Sequence, residues 1–141
     1  MTKKKYISIL IFIILGVSLI VFKKNTYINE AYHAKRIFKS ERAFGDDYFD
    51  IYVINSPQNK QVNGKKIDNN YYKESKRFKQ IMLSYKSEIG NYDVLTNSLY
   101  NLEKDKSTIY LLEEDVDKKG HRTLYIFNDA LDIGYIFDFQ I

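Results

Sequence analysis

The sequence predicts an α+β protein: an N-terminal transmembrane helix, then one small domain with a mostly antiparallel sheet of about four strands, in the order β-α-α-β-β-β, packed against one or two helices. Three observations predict it. Residues 6–22 form an uninterrupted apolar stretch bracketed by lysines; residues 71–89 and 95–102 repeat apolar side chains with a helical period; and four runs within 48–55, 108–114, 122–128 and 134–140 are rich in β-branched and aromatic residues. The expected organisation is a basic tail at 1–5, a signal-anchor helix at 6–22, a juxtamembrane basic helix at 23–43 and the α+β domain at 44–141.

The span comes first. Tyr6 to Phe22 (YISILIFIILGVSLIVF) is 17 residues without a charge. A helix of that length covers about 25 Å, short of the roughly 30 Å hydrocarbon core, and flanking lysines that snorkel to the head groups close the difference. The anchoring residues are therefore Lys3, Lys4, Lys5 and Tyr6 at one end, Ile11 and Phe12 in the middle, and Phe22, Lys23 and Lys24 at the other. A cleaved secretory signal is the alternative, with Gly16 and Ser18 as a small-x-small site. Cutting there would leave Leu19, Ile20, Val21 and Phe22 as an apolar terminus, so the uncleaved anchor is preferred.

Net charge is +4, distributed unevenly: +3 in residues 1–22, +4 in 23–42, +2 in 43–90 and −5 in 91–141. Positive charge beside an apolar span suits anionic lipid head groups; a nucleic-acid surface would spread basic residues over the folded domain, so nucleic acid is not an expected partner. Counting Lys and Arg alone favours a cytoplasmic domain. A short positive tail before a translocated domain is nevertheless the layout of an N-in signal anchor, and it places the domain outside.

From Asn25 to Ser40 the residues Tyr27, Ala31, Ala34 and Phe38 recur with a helical period, giving the juxtamembrane helix, with Lys35, Arg36 and Lys39 on its polar side. Gly45, Asp46 and Asp47 break it. Tyr48–Asn55 is the first strand, ended by Pro57, and Asn63-Gly64, between Gln61, Val62 and Lys65, Lys66, is a two-residue hairpin turn signal that leaves open a small exposed β-ribbon or a mobile loop. Asn69 or Asn70 caps a helix through Ile89 with Tyr71, Phe78, Ile81, Met82, Tyr85 and Ile89 on one face, and Gly90 is placed to close it. Asp93 opens a shorter helix burying Leu95, Leu99 and Leu102. Three strands joined by short polar connectors follow, which implies an antiparallel meander. Strand alternation sends Phe49, Ile51 and Val53 one way along the first strand and Tyr135, Phe137 and Phe139 one way along the last.

Tyr48, Tyr52, Tyr110 and Tyr125 suggest a tyrosine-rich sheet face that would stack on sugars or on a partner protein; tyrosines in strands are otherwise half-buried with wet hydroxyls. Chemistry-bearing motifs are sparse. There is no cysteine, hence no disulfide, thiol nucleophile or lipidated cysteine. His33 and His121 read as surface residues, and neither has the close-spaced partner a zinc site needs, so no metal is expected. Asp115, Asp117 and Gly120 match the start of a calcium loop, but Lys119 and Ile126 fall where ligands belong, which leaves a hairpin turn. No serine has a nucleophile's setting and no glycine-rich loop enters a helix, so no catalytic or cofactor-binding residue is assigned. Asp46, Asp47, Asp50, Asp115 and Asp117 remain as a pool for a carboxylate-dependent glycan hydrolase. The leading expectation is a non-enzymatic binding or accessory module of a bacterial cell envelope, in contact with the lipid bilayer and with an envelope protein or wall polymer. A cytoplasm-facing membrane-tethered regulator is the alternative.

Overall fold

The structure, a computed structural model, describes residues 33–41, 47–55, 64–115, 117 and 120–140. The expected span at 6–22, with its anchoring residues from Lys3 to Lys24, lies outside the described residues. Among the described residues no helix is long and apolar enough to cross a membrane.

The architecture is α+β. Strands β1 (Ala34–Lys39), β2 (Tyr48–Asn55) and β3 (Lys65–Lys66) precede helices α1 (Asn69–Ser84) and α2 (Tyr92–Lys104), and β4 (Ile109–Glu114), β5 (His121–Asn128) and β6 (Ile133–Gln140) follow. All six strands join one sheet in the order β1-β2-β6-β5-β4-β3, every described pairing antiparallel. The three-strand meander stands as expected, and β2 pairs along the free side of β6, Phe49 opposite Phe139 and Ile51 opposite Phe137. Both helices pack on one sheet face, where Phe49, Ile51, Phe137, Phe139, Leu124 and Ile126 meet Tyr71, Phe78, Met82, Leu95, Leu99 and Leu102. The opposite face carries a second cluster: Ala34, Tyr52, Ile54, Tyr125, Phe127 and Ile136. No residue of the two described helices belongs to it.

One strand was not expected. Within the segment read as a juxtamembrane helix, the described part is strand β1. The four-residue step from Ala34 to Phe38 is what suggests a helix. In the strand, a bulge between Arg36 and Phe38 inserts Ile37 as an extra residue, so that Ala34 faces one side of the sheet and Phe38 the other. Phe38 then packs on Phe49 and Tyr85. Of the small ribbon or loop expected about Asn63-Gly64, the described part forms strand β3, whose Lys65 and Lys66 pair with Tyr110 and Ile109 on β4.

Helix ends also differ from expectation. Asp68, not Asn69 or Asn70, caps α1: its carboxylate accepts the Tyr71 N–H at 2.9 Å. The helix stops at Ser84 rather than running to Ile89, because Tyr85 leaves the helical path to place its ring against Phe38 and Phe49. A turn closed by the Ile89 N–H on the Tyr85 carbonyl still brings Ile89 into the core. The left-handed residue after it is Asn91, at φ 57°, and not Gly90.

Candidate functional site

On the sheet face away from the helices, the residues of β2, β6 and β5 nearest the His121 end are polar. Register explains the grouping: Asp50 lies opposite Asp138, and Asp138 opposite Thr123, so all three side chains share one face. His121 stands two residues before Thr123 on that face. Its Nε2 lies 2.8 Å from Asp138 Oδ1, and since an ionised carboxylate only accepts, the imidazole donates there. The Thr123 hydroxyl donates to the same oxygen at 3.0 Å, and the Tyr48 hydroxyl donates to Oδ2 at 3.2 Å. On its other side His121 presents Nδ1 to Asp115 Oδ2 at 3.5 Å.

Burial makes this grouping costly unless it is neutralised. Asp50 is 1% exposed, Asp138 7% and His121 6%. Two carboxylates directly opposed on neighbouring strands repel, and each loses hydration. Partners flank them: the Arg36 guanidinium lies 3.6 Å from Asp50 Oδ2, reaching across from β1, and the His121 imidazole contacts Asp138. Between these groups, burial and the carboxylates of Asp50 and Asp138 push the Tyr52 phenol above its ordinary pKa, opposed by its hydrogen bond with Arg36.

A histidine oriented by a carboxylate, with phenol and threonine hydroxyls beside it, contains the residue types of general acid–base chemistry. Asp138 takes the Thr123 and Tyr48 hydroxyls and the His121 Nε2, while His121 Nδ1 is buried without a hydrogen-bond partner among the described residues and Tyr48 and Asp115 stay partly exposed. Two cavities lie at the helices: a small space of about 10 Å³ between α1, α2 and the sheet, lined by Tyr71, Phe78, Met82 and Leu124 among others, and an open groove of about 320 Å³ along the outer side of α1, bordered by Tyr72, Lys76, Lys79, Gln80 and Leu83. The first has room for one water. In the second, Lys79 is held 2.6 Å from Glu103, whose carboxylate also accepts the buried Tyr71 hydroxyl at 2.8 Å. That carboxylate and burial push the Tyr71 phenol well above its ordinary pKa.

The expected tyrosine surface does not assemble as one face. Tyr48, Tyr52 and Tyr125 share the face away from the helices, while Tyr110 lies one residue out of phase with the Leu111–Tyr125 pair and faces α1. Tyr52, Tyr110 and Tyr125 are buried. Their hydroxyls are used internally where bonds are seen, Tyr110 donating to Asp68 and Tyr125 to Glu113. The face away from the helices carries a buried cluster of its own, so alternation buries tyrosines there that it would expose on a half-wet face.

Among the carboxylates singled out from sequence, Asp50 and Asp115 join the polar grouping, Asp117 lies in the β4–β5 turn with its N–H on Asp115 Oδ1, and Asp46 lies outside the described residues. Asp138 and His121 were missed as members. The sequence signal for Asp138 is a lone acid in an otherwise aromatic and aliphatic strand, matched by Asp50 in β2. His121, read as a surface residue, is buried because β5 begins at it. Among the described residues no three His, Asp or Glu side chains are arranged to hold a metal ion. Comparison with known protein families, curated proteins and solved structures finds no match to this chain.

Proposed function

We propose that this chain is a single-pass membrane protein whose α+β domain stands on the outer side of a bacterial cell membrane as a non-enzymatic binding or accessory module. One observation carries the reading: 17 uncharged residues from Tyr6 to Phe22, closed by lysines on both sides, stand before the first strand of the folded domain with 11 residues between. The polar grouping supports the non-enzymatic part, because Asp138, His121 and Thr123 are buried and bonded to one another. With Tyr52, Tyr110 and Tyr125 buried, contacts with an envelope protein or wall polymer fall to exposed side chains. Such side chains occur on the outer stripe of α1, at Tyr72 and Leu83, and in the acidic β4–β5 hairpin, at Glu113, Glu114 and Asp117.

The absence of cysteine makes the topology directly testable. Asp117→Cys in the full chain is expected to react with a membrane-impermeant maleimide on intact cells to the same extent as on lysed cells. Labelling only after lysis would assign the domain to the cytoplasm and favour the tethered regulator instead.

A further inference from the structure

We infer that the edge strand β1 is a membrane-contact element: its cationic edge and the bulged Ile37 rest on the anionic head groups of the bilayer that anchors the chain. The inference rests on the tether of the proposed function and goes beyond it by naming the surface of the domain that faces the lipid.

Three observations converge on β1. First, it is an edge strand, bonded only to β2 among the described strands, so its outer side is not used by the sheet. Second, its exposed side chains are Lys35, Arg36, Ile37 and Lys39, with no acid among them; Arg36 is turned to Asp50, and Lys35 and Lys39 are the cations left beside the large aliphatic Ile37. The far edge mixes signs, with Lys65 and Lys66 at one end and Glu113 and Glu114 at the other. Third, only residues 23–33 separate the end of the apolar stretch from Ala34. Fully extended, 11 residues reach about 36–40 Å. The domain therefore cannot leave the head-group region by more than about its own diameter, and some surface of it faces lipid at all times. Charge complementarity selects which: each Lys or Arg near an anionic bilayer contributes about 1 kcal/mol of attraction.

Lysines and bulges also blunt edge strands against pairing with other chains, and that role alone accounts for the cations and the irregularity. It does not account for Ile37. A bulge that serves only to spoil the edge works as well with a polar residue, whereas here it turns out an isoleucine that is 41% exposed between cations. An aliphatic side chain among lysines is the pattern of a group that enters the acyl boundary while its neighbours hold the head groups.

The test uses the full chain in vesicles, with one cysteine introduced and labelled with an environment-sensitive fluorophore: Ile37→Cys on β1, or Asp117→Cys in the β4–β5 turn across the sheet. Vesicles contain phosphatidylcholine alone or with 30 mole per cent phosphatidylglycerol, each doped with a lipid-borne quencher, about a third anionic lipid being enough to set a surface potential of tens of millivolts. In the anionic vesicles the label at 37 is expected to shift to the blue and be quenched several-fold more than the label at 117. Lys35→Gln with Lys39→Gln, or high salt, is expected to reduce that difference to near nothing while the chain still floats with the vesicles. A water-exposed label at 37 in anionic vesicles, or quenching indifferent to the two lysines and to salt, overturns the assignment of β1 and leaves the tether standing. A chain that does not float with either vesicle overturns both.

Discussion

At the scale of single residues, close packing and internal hydrogen bonds set what can be changed. Gly134 lies where β6 approaches β5 so closely that a Cβ would sit 2.7 Å from Phe127 Cβ and 3.0 Å from the Ile126 carbonyl oxygen. Backbone atoms cannot give way cheaply, so Gly134→Ala is expected to cost about 1–3 kcal/mol, read as a lower denaturant midpoint. Asp138→Ala removes the common acceptor of His121, Thr123 and Tyr48. Buried donors left unsatisfied make a loss of about 2–3 kcal/mol the expected result, and an unchanged or stabilised variant would mean that the Asp50–Asp138 repulsion outweighs those bonds. Asp68 gives a pH signature. The Tyr71 N–H and the Tyr110 hydroxyl hold its carboxyl below its ordinary pKa of 3.8. A group depressed on folding contributes stability above its unfolded pKa and loses it as pH falls through the folded value. Stability should therefore fall below about pH 4, less steeply in Asp68→Asn, which keeps a capping side chain without the titration. These residues were hardly legible in the sequence. Asp138, His121 and Gly134 acquire their roles only from cross-strand register, and register depends on partners far apart in the chain.

At the scale of elements, legibility followed the length and regularity of the hydrophobic pattern. The helices and the strands β2, β4, β5 and β6 announce themselves because a periodic apolar pattern or a run rich in β-branched and aromatic residues fills most of each, and the core faces at Phe49, Ile51, Phe137 and Phe139 follow directly. Strand β1 does not. Its bulge converts strand spacing into an apparent helical step from Ala34 to Phe38, and its exposed lysines resemble the polar side of an amphipathic helix. The short β3 has no pattern of its own and exists because β4 offers an edge. That β1 belongs to the domain and is not a separate membrane-lying helix carries an expectation: Phe38→Ala, which empties a site against Phe49 and Tyr85, should destabilise the domain by about 3–4 kcal/mol. A helix outside the domain would tolerate the same change without loss, and urea unfolding of the variant distinguishes the two.

At the scale of the whole molecule, tyrosine supplies the interior. Burial raises the phenols of Tyr52, Tyr71 and Tyr110 above their ordinary pKa of 10. A native state that retains protons which the unfolded chain releases loses stability as pH climbs past the unfolded value, so unfolding should set in above about pH 10 with tyrosinate absorbance rising in the same transition. In the proposed arrangement the uncharged, lysine-bracketed stretch from Tyr6 to Phe22 is the anchor of a domain whose basic edge strand begins after 11 further residues of the chain. The measurement that tests this arrangement most directly is the intact mass of the chain recovered from alkali-washed membranes. The account expects full-length polypeptide, residues 1 to 141, in the washed membrane fraction. A freely soluble chain, or one whose N-terminus starts at Leu19 after removal of the apolar stretch, would contradict it.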